Sequence, residues 1–181
     1  MSPRALLVVD LQNDYLAKGR FPLTDIDQAV GNAARVVAAA RQAGDLVINI
    51  RHESPADGPF FAVGTDGAEI VAAMAPLEGE AVVTKHYPNA FRETALAEML
   101  ASAGVEAVTV IGAMSHMCID ATARAAADLG YATTIVEDAC ATRDLEFKGR
   151  TVPAATVHAA FMSALAFAYG QVVSTEDYLA G

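Results

Sequence analysis

Apolar residues fall along the chain in short unbroken runs separated by longer stretches of helical spacing. Ala5–Val9, Leu46–Ile50, Ala81–Thr84, Val108–Ile111 and Ala132–Val136 have the length and content of strands buried on both faces. Between the first two runs, Ile26, Val30, Ala33, Val37 and Ala40 recur at helical spacing, with Thr24 or Asp25 able to cap and Gly44 to end the helix. A second helical stretch spans about 93–103, before Gly104. A third begins at Cys118, places Ile119, Ala123, Ala126 and Ala127 on one side, and ends at Gly130. A short helix at 68–74, a long alanine-rich helix within 151–170, a short strand at 171–173 and a turn at about 176–179 complete the pattern. Strands alternating with helices predict a parallel sheet with right-handed crossovers on both faces. In such sheets ligands bind beyond the carboxyl ends of the strands, where strand order reverses.

Composition sharpens this picture. With 181 residues and no linker-like or repetitive stretch, the chain reads as a single domain, 1–181. A hydrophobic fraction of 54% implies strands covered on both faces, helices buried between subunits, or both, so a homo-oligomer, dimer or larger, is expected. A net charge of −10 argues against nucleic acid as a partner, because that needs a basic surface. The first apolar run ends at Asp10 without a cleavage-site pattern, and 151–170 carries Pro153, His158 and Ser163, so neither reads as a signal or membrane segment. Two cysteines without zinc-site spacing suit a cytoplasmic protein with reduced thiols.

Three groups of complementary chemistry stand at carboxyl ends of predicted strands: Asp10, Lys85 and Cys118. Cys118 lies where strand gives way to helix, and free N–H groups and the helix dipole there favour a thiolate. Position alone leaves a nucleophile and an inert buried thiol equally open. Sharing an edge with a carboxylate and an ammonium favours the nucleophile. Cys140 reads as a small buried thiol, His158 as a packing residue, Asp138 as a turn cap and Arg124 as half of an ion pair. The loop 51–67, with Phe21 and the surroundings of Phe91, is where specificity is expected.

The stretches LLVVDLQNDY around Asp10, VVTKHYPNAF around Lys85 and VIGAMSHMCIDATARAA around Cys118 together resemble the isochorismatase-like cysteine hydrolase superfamily, over nearly the whole chain. That resemblance implies a three-layer αβα Rossmann-like fold with a six-stranded parallel sheet of order 3-2-1-4-5-6. It implies Cys118 as nucleophile, Asp10 as the group that takes and returns its proton, and Lys85 as the cation that lowers the thiol pKa. It also implies a cis peptide at Ala113–Met114 and an oxyanion hole formed by the backbone N–H groups of Met114 and Cys118. Tyr15 and Phe91 match pocket-lining positions. Nicotinamidases of the superfamily hold a metal on an Asp-x-His pair, but here the region reads Arg51, His52, Glu53, Ser54, so no metal or other cofactor is expected. His52 remains either a lone substrate contact or a solvated loop histidine, and His86 and His116 are pocket-rim or structural residues.

The implied function is metal-independent amidohydrolysis of a C–N bond in a small amide, ureido or lactam-like molecule, through a thioester. The alternatives are isochorismate hydrolysis at a vinyl ether, against which Cys118 counts, a redox-active thiol protein, or a non-catalytic oligomeric relative. Cys118 has no neighbouring resolving cysteine in sequence for a dithiol cycle.

Overall fold

The computed structural model describes residues 3–181. Its sheet contains β1 (Arg4–Val9), β2 (Leu46–His52), β3 (Ala81–Lys85), β4 (Ala107–Ala113), β5 (Ala132–Ala141) and, after a small hairpin of β6 (Leu145–Phe147) and β7 (Arg150–Val152), β8 (Gln171–Val173). The order is β3-β2-β1-β4-β5-β8 and all neighbours are parallel. The sixth sheet strand is thus the expected 171–173 segment, and only its number is changed by the intervening hairpin. From β1 the chain first builds outward to β2 and β3, then returns to add β4 on the other side, so the reversal lies between β1 and β4.

Alternation along each strand sorts side chains into two cores. In β1, Leu6 and Val8 point into the core under α1 (Ile26–Ala43) and α5 (Thr175–Ala180). Ala5, Leu7 and Val9 point into the other core, under α2 (Leu96–Ser102), α3 (Asp120–Asp128) and α4 (Ala154–Ala168). This explains the unbroken apolar runs. Each buried Leu, Ile or Val side chain removed from water contributes roughly 1.5–3 kcal/mol.

Where the elements differ from the sequence pattern, backbone geometry accounts for it. β5 continues through Ala141 because a register shift between Val110 and Gly112 lets polar Glu137 and Asp138 sit in a bulge while Cys140 and Ala141 rejoin β4. The expected short helix at 68–74 is instead two single 3-10 turns, Asp66–Ala68 and Ala72–Met74. α2 begins at Leu96 rather than near 93, since Glu93 has φ +56° and breaks the helical path. The stretch 151–170 is not all helix: Arg150–Val152 pairs antiparallel with Leu145–Phe147, and α4 starts after Pro153.

Gly112, at φ +129°, lies where β4 passes β1; a Cβ there would come within 1.9 Å of the Val9 carbonyl oxygen. Glycine is therefore required at the reversal itself. Among the described residues no helix is long and apolar enough to cross a membrane.

Candidate active site

At the reversal, Lys85 reaches from the end of β3 beneath the ends of β2 and β1. Its Nζ lies 2.8 Å from Asp10 Oδ2, 3.0 Å from His52 Nδ1 and 3.4 Å from Cys118 Sγ. An ammonium has three protons, and here each has an acceptor. The register explains the reach: His52 is paired with Lys85 across β2 and β3, and the Asp10 N–H donates to the Ile50 carbonyl. Asp10 leaves β1 in the left-handed region, φ +52°, a conformation that aspartate tolerates better than most residues and that costs of order 1 kcal/mol. Cys118 sits inside a single wide turn, Ser115–Ile119, between β4 and α3, anchored by Met117 and Ile119 N–H groups on the Met114 carbonyl. The Ala113–Met114 peptide is cis.

Asp10 and Lys85 are fully buried and Cys118 nearly so. Burial lowers the Lys85 pKa, but the charges of Asp10 and Cys118 and the hydrogen bonds to both outweigh it, so the ammonium is held. Burial pushes the Cys118 thiol well above its ordinary range, the Asp10 charge adds to that, and Lys85 offsets only part. This direction runs against the sequence expectation, which weighed the helix start and Lys85 but not burial. The cysteine is enclosed within its turn and faces a carboxylate as well as a cation, so helix-start arguments do not govern it. Burial and then Lys85 lower the His52 pKa, leaving a neutral ring whose Nδ1 accepts from Lys85 and whose proton is on Nε2. Among the described residues the buried Asp10 Oδ1 has no partner within ordinary hydrogen-bond distance, and the Cys118 thiol is the group beside the carboxylate that can donate to it.

His52 is therefore neither a solvated loop residue nor a free substrate ligand at Nδ1; it is the third partner of Lys85. Tyr15 is buried in an aromatic cluster with Phe21, Phe60 and Phe61, the last ring 4.5 Å away, and its phenol pKa is raised by burial and by the nearby charges at Asp10 and Cys118. Phe91 is half-buried and stacked on Tyr131 at 6.4 Å. Arg143 lies 4.3 Å over the Phe21 ring. His86 Nδ1 lies 2.8 Å from the Glu53 carbonyl, and His116 Nδ1 2.6 Å from Thr142 Oγ1, both structural contacts. His158 is not simply a packing residue: its Nδ1 lies 2.8 Å from Ser115 Oγ, and its Nε2 3.3 Å from Glu137. Arg124 pairs with Asp120, Asp138 receives both the N–H and hydroxyl of Thr175 at the start of α5, and the buried Cys140 thiol donates to the Val136 carbonyl.

Two residues that sequence reasoning missed hold this site together. Gln12 donates to the carbonyls of His52 and Ala68 and accepts from the His52 N–H, so one fully buried amide clamps the residue that faces Lys85. Asp14 accepts from the Arg20 and Phe61 N–H groups, fixing the loop that brings Phe60 and Phe61 to Tyr15. Their only sequence signal is polarity immediately after a buried strand.

One ligand atom each from Asp10, His52 and Cys118 lie within 4.8 Å of one another, a set able in principle to hold a metal. The set does not fit one here, because the Lys85 ammonium already contacts all three and a second cation among them would meet its charge at close range.

Residues 4–177 match the family model described as Isochorismatase domain. The chain is 45% identical over 176 residues to the uncharacterised isochorismatase family protein YddQ of Bacillus subtilis, covering 97% of this chain and 98% of that one. It is 33% identical over 189 residues to the maleamate amidohydrolase of Pseudomonas putida, covering 96% and 84% respectively. Among solved structures, an isochorismatase from Pseudomonas putida superposes with TM-score 0.91 at 40% identity, over 96% of this chain and 89% of that one. By its matched length, its fold and the three strand-end groups it assembles, the chain belongs to the isochorismatase family.

Proposed function

We propose that the protein is a cysteine amidohydrolase that cleaves the C–N bond of a small amide, ureido or lactam-like substrate through a thioester, without a metal. The observation that carries this reading is the Lys85 ammonium seated against both Asp10 and Cys118, with the second Asp10 oxygen not engaged by Lys85. The amide relative from Pseudomonas putida supports the same bond class.

In the first half-reaction Asp10 takes the thiol proton as Sγ bonds to the carbonyl carbon. The developing thiolate charge is met by Lys85, and the oxyanion by the backbone N–H groups of Met114 and Cys118. Collapse breaks the C–N bond, and Asp10 gives its proton to the departing nitrogen. Water then adds to the thioester while Asp10 accepts a proton, and collapse releases the acid and restores the thiol. The net charge of the Asp–Lys–Cys set is unchanged by the internal proton transfer, which is what lets it operate while buried. Tyr15 and Phe91 are assigned to the wall of the substrate pocket. The charge-free α4, with Phe167 exposed, supports self-association with a second copy, and the two free cysteines support a reducing, cytoplasmic setting.

The test is a panel of small amides and ureido compounds followed for ammonia or amine release, with intact-mass trapping of an acyl adduct. Turnover by wild type, loss in Cys118→Ala and a Cys118-borne acyl mass are the expected results. Equal turnover by Cys118→Ala would overturn the reading.

A further inference from the structure

Outside the Asp10–Lys85–Cys118 set, a second chain of polar side chains ends on the turn that carries the nucleophile. Ser115 opens that turn, three residues before Cys118, and is fully buried. Its hydroxyl lies 3.2 Å from the Ala141 carbonyl and 2.8 Å from His158 Nδ1. Ala141 is the register partner of Ala113, the residue that precedes Met114, so the Ser115–Ala141 contact ties the turn to the sheet beside the proposed oxyanion donors. Glu137 lies at the opposite end of the imidazole, 3.3 Å from Nε2.

Hydrogen-bond accounting leaves two arrangements, and only one keeps both Ser115 contacts. A hydroxyl has one proton, so if Ser115 donates to the Ala141 carbonyl, the Nδ1 contact requires His158 to donate, and with Glu137 able only to accept at Nε2 the ring then donates from both nitrogens. If His158 Nδ1 bears no proton, Ser115 must turn its own proton to the ring and leave the Ala141 carbonyl. The ring donor at Nδ1 is therefore what keeps the Ser115 hydroxyl on the sheet.

Resting on the amidohydrolase reading for its kinetic arm, we propose that His158, steadied by Glu137, is a positioning residue that sets the nucleophile turn through Ser115. It touches neither substrate nor the sulfur. Its effect is on the placement of Cys118 and the adjoining backbone donors, where a displacement well under 1 Å is enough to lower kcat.

Two isosteric replacements separate this from a packing role. Asn places an amide donor near the position of Nδ1, whereas Gln places one near Nε2. His158→Asn is expected to keep kcat within about threefold of wild type, while His158→Gln and Ser115→Ala lower it about tenfold or more with KM little changed. A second readout needs no substrate: the rate at which iodoacetamide labels Cys118, followed by peptide mass, should be near wild type in His158→Asn and altered about fivefold or more in His158→Gln. Equal labelling and kinetics in the two variants, whether both intact or both impaired, would overturn the proposal. If Cys118→Ala keeps full turnover while the labelling split persists, the amidohydrolase reading fails and the positioning role stands.

Discussion

Lys85 shows how a single side chain can be both the most expensive and the most necessary residue of a site. A buried ammonium is tolerable only because Asp10, His52 and Cys118 each accept a hydrogen bond from it. Lys85→Met is expected to abolish turnover and to destabilise the fold by about 3–5 kcal/mol by stranding the Asp10 carboxylate, and Lys85→Met with Asp10→Leu should recover much of that stability without activity; urea unfolding of the three proteins checks this. His52 gives a pH signature. Its folded pKa is depressed, first by burial and then by Lys85, so as pH falls below about 6.5 the unfolded chain takes up a proton that the folded one refuses. Stability present above that pH should be lost below it, by at most about 1.4 kcal/mol per pH unit, until the folded ring titrates. The loss should shrink in His52→Gln, and melting temperatures of both proteins between pH 5 and 8, roughly spanning the ordinary histidine range, measure the difference. A variant with the same slope as wild type would place the titration elsewhere. Gln12→Leu should cost about 2–4 kcal/mol, because the His52 and Ala68 backbone groups lose their buried partner.

At the level of elements, the strands were legible because burial on both faces leaves a plain apolar signature, and Asp10 and Lys85 because each ends such a run, with Cys118 in the strand-to-helix turn that follows another. The bulge in β5, the β6–β7 hairpin and the wide turn under Cys118 were not, since each depends on partners distant in sequence. Gln12 and His158 escaped for the same reason. A polar residue announces what it needs but not where it finds it. The upward push on the Cys118 pKa was not legible in sequence because burial, its largest cause, is a property of the folded surroundings. Gly112 makes the dependence on neighbours concrete: Gly112→Ala would drive a methyl group into the Val9 carbonyl at a φ that other residues avoid. Little or no soluble native protein is expected, by yield and circular dichroism, whereas Gly31→Ala, in open space on α1, should fold normally.

For the whole molecule, the hydrophobic excess divides unequally. Most of it fills the two cores, and among the residues left outside them Phe167 is 91% exposed on α4, a helix that bears no formal charge. Sedimentation is expected to show a dimer or larger species, and Phe167→Glu to shift it toward monomer; a monomer at all working concentrations would remove the case for self-association. The occupied cation position at the centre of the site bears on how the protein would fare in a cell. A hydrolase that recruits zinc or iron is only as abundant as its metal supply allows, and can be silenced by starvation or loaded with the wrong ion. Here the positive charge is encoded in the chain and arrives with folding, so exhaustive chelation should leave turnover intact. A thiophilic ion would act only as an inhibitor, since it must first displace Lys85 from three acceptors.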